Sequence, residues 1–326
     1  MTLQRRTLAL AGLGAAISMP RIALGQSGEW PTRPVRIVVP SAPAGSADTA
    51  ARALAERLSA TMGRPFVVEN RAGLAGTIGA DHVAKSAPDG YTYVFISSNA
   101  AVNETLQPRR PFVLTRDLVP VAAVNQLYLV YAIGLQLPAR NLQEFIAHAK
   151  ANPGALNFAS SGPGSMFHLS TEVLRQRAGI DMVHVPFRQY SDARTQLMAG
   201  QIQLMADAIF TLEPLIKGGR IRGIATSGPT RSTLFPDLPT VSESFPGFDF
   251  GLWNGLLAPV GTPQPIIERM NAAVNAVLAE PDFRAANARL DISLTPGTPA
   301  AFRQLIERDV ERMREAVRVA GVAPEA

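Results

Sequence analysis

The chain has 326 residues, of which 47% are hydrophobic and 17% charged, with no cysteine and a formal net charge of +5. A chain of this length is expected to form two domains and can bury a large core without cross-links. The composition excludes an intrinsically disordered protein, a disulfide framework and lipid attachment at a mature N-terminal cysteine.

Arg5 and Arg6 open a basic start, followed by an apolar run from Leu8 to Met19 and small residues at Ala23 and Gly25. The run is shorter than the roughly 20 apolar residues that span a bilayer. Met1–Gly25 therefore reads as a cleaved export signal, with the mature chain starting near Gln26. The adjacent arginines leave general secretion and twin-arginine export both open. Removing Arg5, Arg6 and Arg21 leaves 28 of the 31 basic residues against 26 acidic ones. No Lys/Arg cluster with interleaved aromatics remains to recruit nucleic acid.

Beyond the signal, strand and helix patterns alternate. Val35–Val39 is a β-rich run, and Ser46 is placed to cap a helix through Met62 that ends at Gly63. Pro65–Glu69 forms the next strand, Thr77–Ser86 a helix and Tyr91–Ser97 a third strand. This βαβαβ order requires right-handed crossovers and a parallel sheet.

A long apolar stretch, Val119–Ile133, opens a second series. It continues with a helix at Asn141–Ala151, a strand at Leu156–Ser160, a helix at Ser165–Ala178 and a strand at Met182–Pro186. A helix at Asp192–Ala199, a strand at Ile202–Asp207, a helix at Leu212–Lys217 and a strand at Ile221–Thr226 follow. After a Pro-rich loop and the apolar segment Trp253–Ala258, two helices close the chain. The first is capped by Thr262, and the second runs from Pro299 to about Val319.

The expected architecture is α/β with two lobes, each a mainly parallel sheet flanked by helices. Residues 26–125 and 252–326 are assigned to one lobe and 126–251 to the other. In such sheets ligands sit at the carboxyl ends of strands, where βα loops open outward. Four loops qualify, beginning at Ser41, Asn70, Ser160 and Pro186, and each leads to a helix start that favours an anion. None carries a nucleotide fingerprint such as G-x-x-x-x-G-K-[ST].

The strings VRIVVPSAPAGSADTAARALAERL and VVENRAGLAGTIGADHVAKSAPDGYT closely resemble the Bug family of tripartite tricarboxylate transporter receptors. LNFASSGPGSMFHLSTEVL, MVHVPFRQ, GQIQLMAD, RIRGIATSG and GLLAPVGTP follow in the family's order, so the resemblance covers about Trp30 to Gly321. It implies a periplasmic receptor of type II, Venus-flytrap form, whose closure traps a small carboxylate and which serves the membrane permease of a tripartite transporter. Family members hold the carboxylate through backbone N–H groups, ordered waters and hydroxyls from both lobes. Carried to matching positions, this nominates Ala44, Gly45, Ser46 and Asp48 in the first loop and Ser98 and Asn99 after the third strand. In the second lobe it nominates Ser161, Ser165 and Asp207. The chain departs from the family at Ser41, where an aromatic is usual, at Ala44, where a glycine is usual, and at Arg188-Gln189 in place of Lys-Gly.

Phe187 and Trp253 read equally as cleft walls or as interdomain packing. Arg71 reads as a partner for a carboxylate or as a pin for its own loop. Asp207 could meet a ligand donor or cap the following helix. Catalytic candidates are thin. The four histidines lack metal-ligand spacing, and Ser161, His168 and Asp207 form no G-x-S-x-G elbow. The sequence thus reads as a monomeric solute receptor without metal or cofactor. A periplasmic α/β enzyme and a receptor for a sensor kinase stand as alternatives.

Overall fold

In the computed structural model the described residues are 30–43 and 45–324. The expected export signal and Ala44 lie outside them. From Pro31 onward the chain forms one unit. Its strands are β1 (Val35–Val39), β2 (Phe66–Asn70), β3 (Thr92–Ser97), β4 (Leu118–Ile133), β5 (Leu156–Ser160), β6 (Met182–Pro186), β7 (Leu204–Ala208), β8 (Arg222–Thr226), β9 (Gly251–Pro259) and β10 (Ser293–Leu294). The helices are α1 (Ser46–Met62), α2 (Thr77–Ala84), α3 (Asn99–Leu106), α4 (Leu114–Asp117), α5 (Leu142–Ala151) and α6 (Met166–Ala178). They continue with α7 (Tyr190–Met198), α8 (Ile209–Lys217), α9 (Val241–Ser244), α10 (Gln264–Ala279), α11 (Pro281–Ala288) and α12 (Pro299–Ala320). Among the described residues no helix is long and apolar enough to cross a membrane.

β1 pairs in parallel with β2 and β3, as the βαβαβ pattern requires. β9 then joins antiparallel to β3, and β4 antiparallel to β9. β4 is the unusual strand. Over Leu118–Tyr128 it pairs with β9, whereas Leu129–Ile133 pairs with β7 and Val130–Ile133 also with β8. β7 continues in parallel to β5, and β5 to β6. One strand of 16 residues therefore belongs to two α/β sheets. Its near-continuous burial explains the long apolar run in the sequence, since a strand covered on both faces has no polar alternation.

Where the two sheets change over, Asn254 Nδ2 donates to Asn125 Oδ1 at 2.8 Å. This buried pair ties β9 to β4 with an interaction that requires one register. Trp253 beside it is fully buried, donates through Nε1 to Asp309 Oδ2 at 2.8 Å and meets Phe302 edge to face. It is interior packing, not a cleft wall. α12 supplies Asp309 and, through Phe302, Ile306, Val310, Met313 and Val317, an apolar face that joins the core. Arg312 completes the cluster by donating to Asp309 Oδ1 through Nε at 3.0 Å.

Two caps differ from expectation by one residue. Gly45, extended at φ −75° and ψ 168°, is the N-cap of α1, so Ser46 is already helical and makes no cap. Pro263 caps α10, and Thr262 Oγ1 instead donates to Pro259 O at 2.8 Å. The chain thus enters α1 one residue earlier, and α10 one residue later, than the polar side chain alone indicates.

Asp309→Ala should lower stability by roughly 2–4 kcal/mol, because it strands a buried indole N–H and the Arg312 guanidinium. A lower urea midpoint with an unchanged slope is the expected reading; an unchanged midpoint would show that the cluster is dispensable.

Candidate functional site

A cavity of about 460 Å³ opens between the loops of the two sheets. The first sheet contributes Pro40, Ser41 and Ala47 after β1, residues of the turn before α2, Ser97 at the end of β3, and Asn99 and Ala100 after it. The second contributes Ser161, Pro163, Gly164 and Ser165 from the loop between β5 and α6. The two walls come into contact. A Cβ on Gly164, whose φ is +75°, would fall 2.1 Å from Leu106 Cδ1, so only glycine fits there without displacing that side chain.

Four helices begin at this cavity. Ala47 lies in the first turn of α1, Thr77 opens α2, Asn99 and Ala100 open α3, and Ser165 is the N-cap of α6. The first N–H groups of a helix have no partner within it and carry the positive end of its dipole, so their convergence makes a field for an anion. No carboxylate is found among the described lining residues, and Arg110 is the one charged side chain there. Arg110 is already engaged: it pairs with Glu104, and its Nη1 donates to the carbonyls of Asn103, Glu104 and Gln107 at 3.1–3.3 Å.

Of the residues nominated from sequence, Asn99, Ser161 and Ser165 line the cavity. Gly45 and Ser46 are exposed at the start of α1, outside the lining. Gly45 has an ordinary extended φ, and a Cβ there would sit 3.5 Å from Ala42 O, so its backbone does not depend on being glycine. Asp48 is buried behind the loop, accepting from Arg52 Nε at 3.0 Å and from Asn70 Nδ2 at 2.9 Å. Because Asn70 Nδ2 also donates to Ser41 O at 3.2 Å, Asp48 braces the loop from behind. Ser98 is fully buried; its N–H donates to Trp253 O at 3.0 Å, and its Oγ finds no partner.

Phe187 packs against the second sheet's apolar cluster around Met205 and Ile209 and does not line the cavity. Asp207 is buried, accepts from Ala208 N at 2.8 Å and pairs with Arg194 at 3.2 Å. Burial raises its pKa and Arg194 opposes that rise. Arg71 donates to Glu69 Oε1 at 2.5 Å, which pins its own loop. The sequence reading missed Asn103 and Gln107, which line the cavity from α3 and its C-cap. Their spacing of four residues was the available signal, but the helix carrying them was not recognised.

Behind the second wall two imidazoles stack. His168 and His184 lie with ring centroids 3.9 Å apart at 17°, with Phe158 stacked on His184 at 5.0 Å. His168 Nδ1 accepts from Gly164 N–H at 3.1 Å, which fixes the proton of the neutral ring on Nε2, 3.8 Å from Glu172 Oε1. His184 Nε2 lies 2.6 Å from Ser160 Oγ. Burial, then His184, then Arg175 lower the His168 pKa to about 4, and burial lowers that of His184.

The geometry defines a class: a two-lobed α/β protein with an anion-favouring cleft between its sheets. Residues 50–322 match the profile of the tripartite tricarboxylate transporter family receptor. Protein BugT of Bordetella pertussis is 36% identical over 319 residues, covering 97% of this chain and 98% of its own. The structure of periplasmic binding protein BugD superposes with a TM-score of 0.77 at 30% identity, covering 91% of this chain and all of that one. An R. palustris protein solved with adipate gives a TM-score of 0.80 at 30% identity, with the same coverage. The chain belongs to the tripartite tricarboxylate transporter receptor family.

The histidine pair gives a pH dependence with a defined sign. The folded protein resists protonation at His168 below the ordinary value of 6.5, so between about pH 6.5 and 4 the unfolded chain holds more protons. From His168 alone, stability should be level above pH 7 and fall by roughly 3 kcal/mol as the pH drops to 4. His168→Gln should flatten that part of the profile in urea titrations at stepped pH. A variant retaining the full slope would exclude His168 as its source.

Proposed function

We propose that this protein is a periplasmic receptor that captures a small carboxylate in the cleft and presents it to the permease subunits of a tripartite transporter. The observation that carries this reading is the convergence of four helix starts on a cavity whose described lining has no carboxylate. Such a site binds an anion through backbone dipoles, which side-chain motifs do not record. That a family member binds adipate supports a carboxylate as the anion.

The same reading assigns residues 26–125 and 252–326 to one lobe and 126–251 to the other, with β4 and β9 as the crossing strands. It takes Met1–Gly25 as an export signal and the mature protein as a monomer. Binding proceeds by closure, without chemistry. Of Ser161, His168 and Asp207, two have their groups committed elsewhere, His168 Nδ1 to Gly164 N–H and Asp207 to Arg194 and Ala208.

Thermal unfolding of the chain from Gln26 against adipate, malate and related acids tests the proposal. At about 100 times Kd a ligand contributes roughly 2.7 kcal/mol, a rise of about 5 °C in Tm. Ser161→Ala and Ser165→Ala should each weaken binding by about 0.5–1.5 kcal/mol, and ligand should be recovered unchanged. Turnover of the ligand, or indifference to every carboxylate, would overturn the reading.

A further inference from the structure

The turn between β2 and α2 carries the least ordinary backbone of the described chain. Gly73, Leu74, Ala75 and Gly76 have φ of 131°, 45°, 51° and 97° in succession. Glycine enters this region freely, but a residue with a Cβ meets its own carbonyl there. Leu74 is not held in place by burial, since it is 66% exposed. Two adjacent L residues in this conformation need an external restraint.

α3 supplies that restraint. Asn103 Nδ2 donates to Ala75 O at 3.0 Å, and Gln107 Nε2 donates to Leu74 O at 3.4 Å. Gln107 is fixed in turn, because its Oε1 accepts from Thr77 Oγ1 at 2.5 Å. Arg110 gathers the carbonyls of Asn103, Glu104 and Gln107 and so secures the end of the helix that carries both amides.

The restrained turn is itself part of the site. Gly73, Ala75 and Gly76 line the cavity together with Asn103 and Gln107. The next turn of α2 is packed directly on the loop after β1: a Cβ on Gly79 would stand 2.8 Å from Pro40 Cβ and 2.8 Å from Arg71 O. Where residues 73–76 sit therefore sets one wall of the cleft and the support of another.

We propose that Asn103 and Gln107 are positioning residues, whose side-chain amides hold Leu74 and Ala75 in the left-handed conformation and thereby set the first wall for the ligand. The inference rests on the cleft being the ligand site, as argued above. It distinguishes restraint from plain packing, because glycine at position 75 removes the need for restraint without touching α3.

Amide hydrogen exchange on the mature protein without ligand tests the restraint, read at Gly76, whose N–H donates to Gly73 O, and at Thr77, whose N–H donates to Leu74 O. Asn103→Leu and Gln107→Leu, made separately, should each raise exchange at these two amides by about tenfold, with β-sheet amides unchanged. Adding Ala75→Gly to either variant should return exchange to within about threefold of the parent. Titration with adipate and malate in the same set should show affinity falling by about fivefold to tenfold and recovering with Ala75→Gly. Unaltered exchange at Gly76 and Thr77, or no recovery with glycine, would overturn the restraint. Intact affinity in a variant whose turn has loosened would overturn its bearing on the ligand. If the parent binds neither acid, the functional proposal fails for those ligands, while the exchange comparison still decides the turn.

Discussion

The pairing of β4 with β9 is the constraint on which the rest of the structure depends. β4 enters the first sheet beside β9, and its last residues take β7 on one side and β8 on the other. Register errors here would propagate into both sheets, since a slip of one residue turns every side chain to the opposite face. Two features oppose a slip. The Asn125–Asn254 bond needs both amides in place, and Trp253 must reach Asp309 on α12. Polar pairs of this kind add less stability than apolar packing of equal size but tolerate fewer alternatives.

Fixing the sheets fixes the cleft. Strand ends set where helices start, and helix starts carry the positive dipole ends that make the cavity favourable to an anion. The side chains near the cavity therefore act mostly on backbone. Asp48 and Asn70 brace Ser41, Arg110 closes the end of α3, and His168 takes the N–H of Gly164. An arginine clamp on the ligand would show plainly in a sequence; here the one arginine among the described lining residues is committed to Glu104 and to carbonyls.

This explains what the sequence disclosed and what it withheld. Alternating strand and helix patterns, with a glycine stop at Gly63, were enough to read the two α/β series. The antiparallel insertion of β9 between β3 and β4 was not legible, because it depends on contacts far apart in the chain. Asn99, Ser161 and Ser165 were nominated by the family resemblance and do line the cavity. Phe187, from the loop beginning at Pro186, and Asp207, carried over by the resemblance, instead pack or pair within the second sheet, since position along the chain does not say which way a side chain turns. α3, NAAVNETL, was not legible because it has only two large apolar residues, Val102 and Leu106, and neither a side-chain N-cap bond nor a glycine stop.

The order of strands also bears on how the chain acquires its shape as it is made. β1, β2 and β3 are synthesised first, yet the free edge of β3 has no partner until β9 emerges, after the whole of β5 to β8. β4 to β8 can pair among themselves before that moment. The segment encoded in the middle is thus able to mature before the one encoded at the start. Meanwhile an apolar edge of VFIS waits uncovered, the kind of surface on which holding chaperones act.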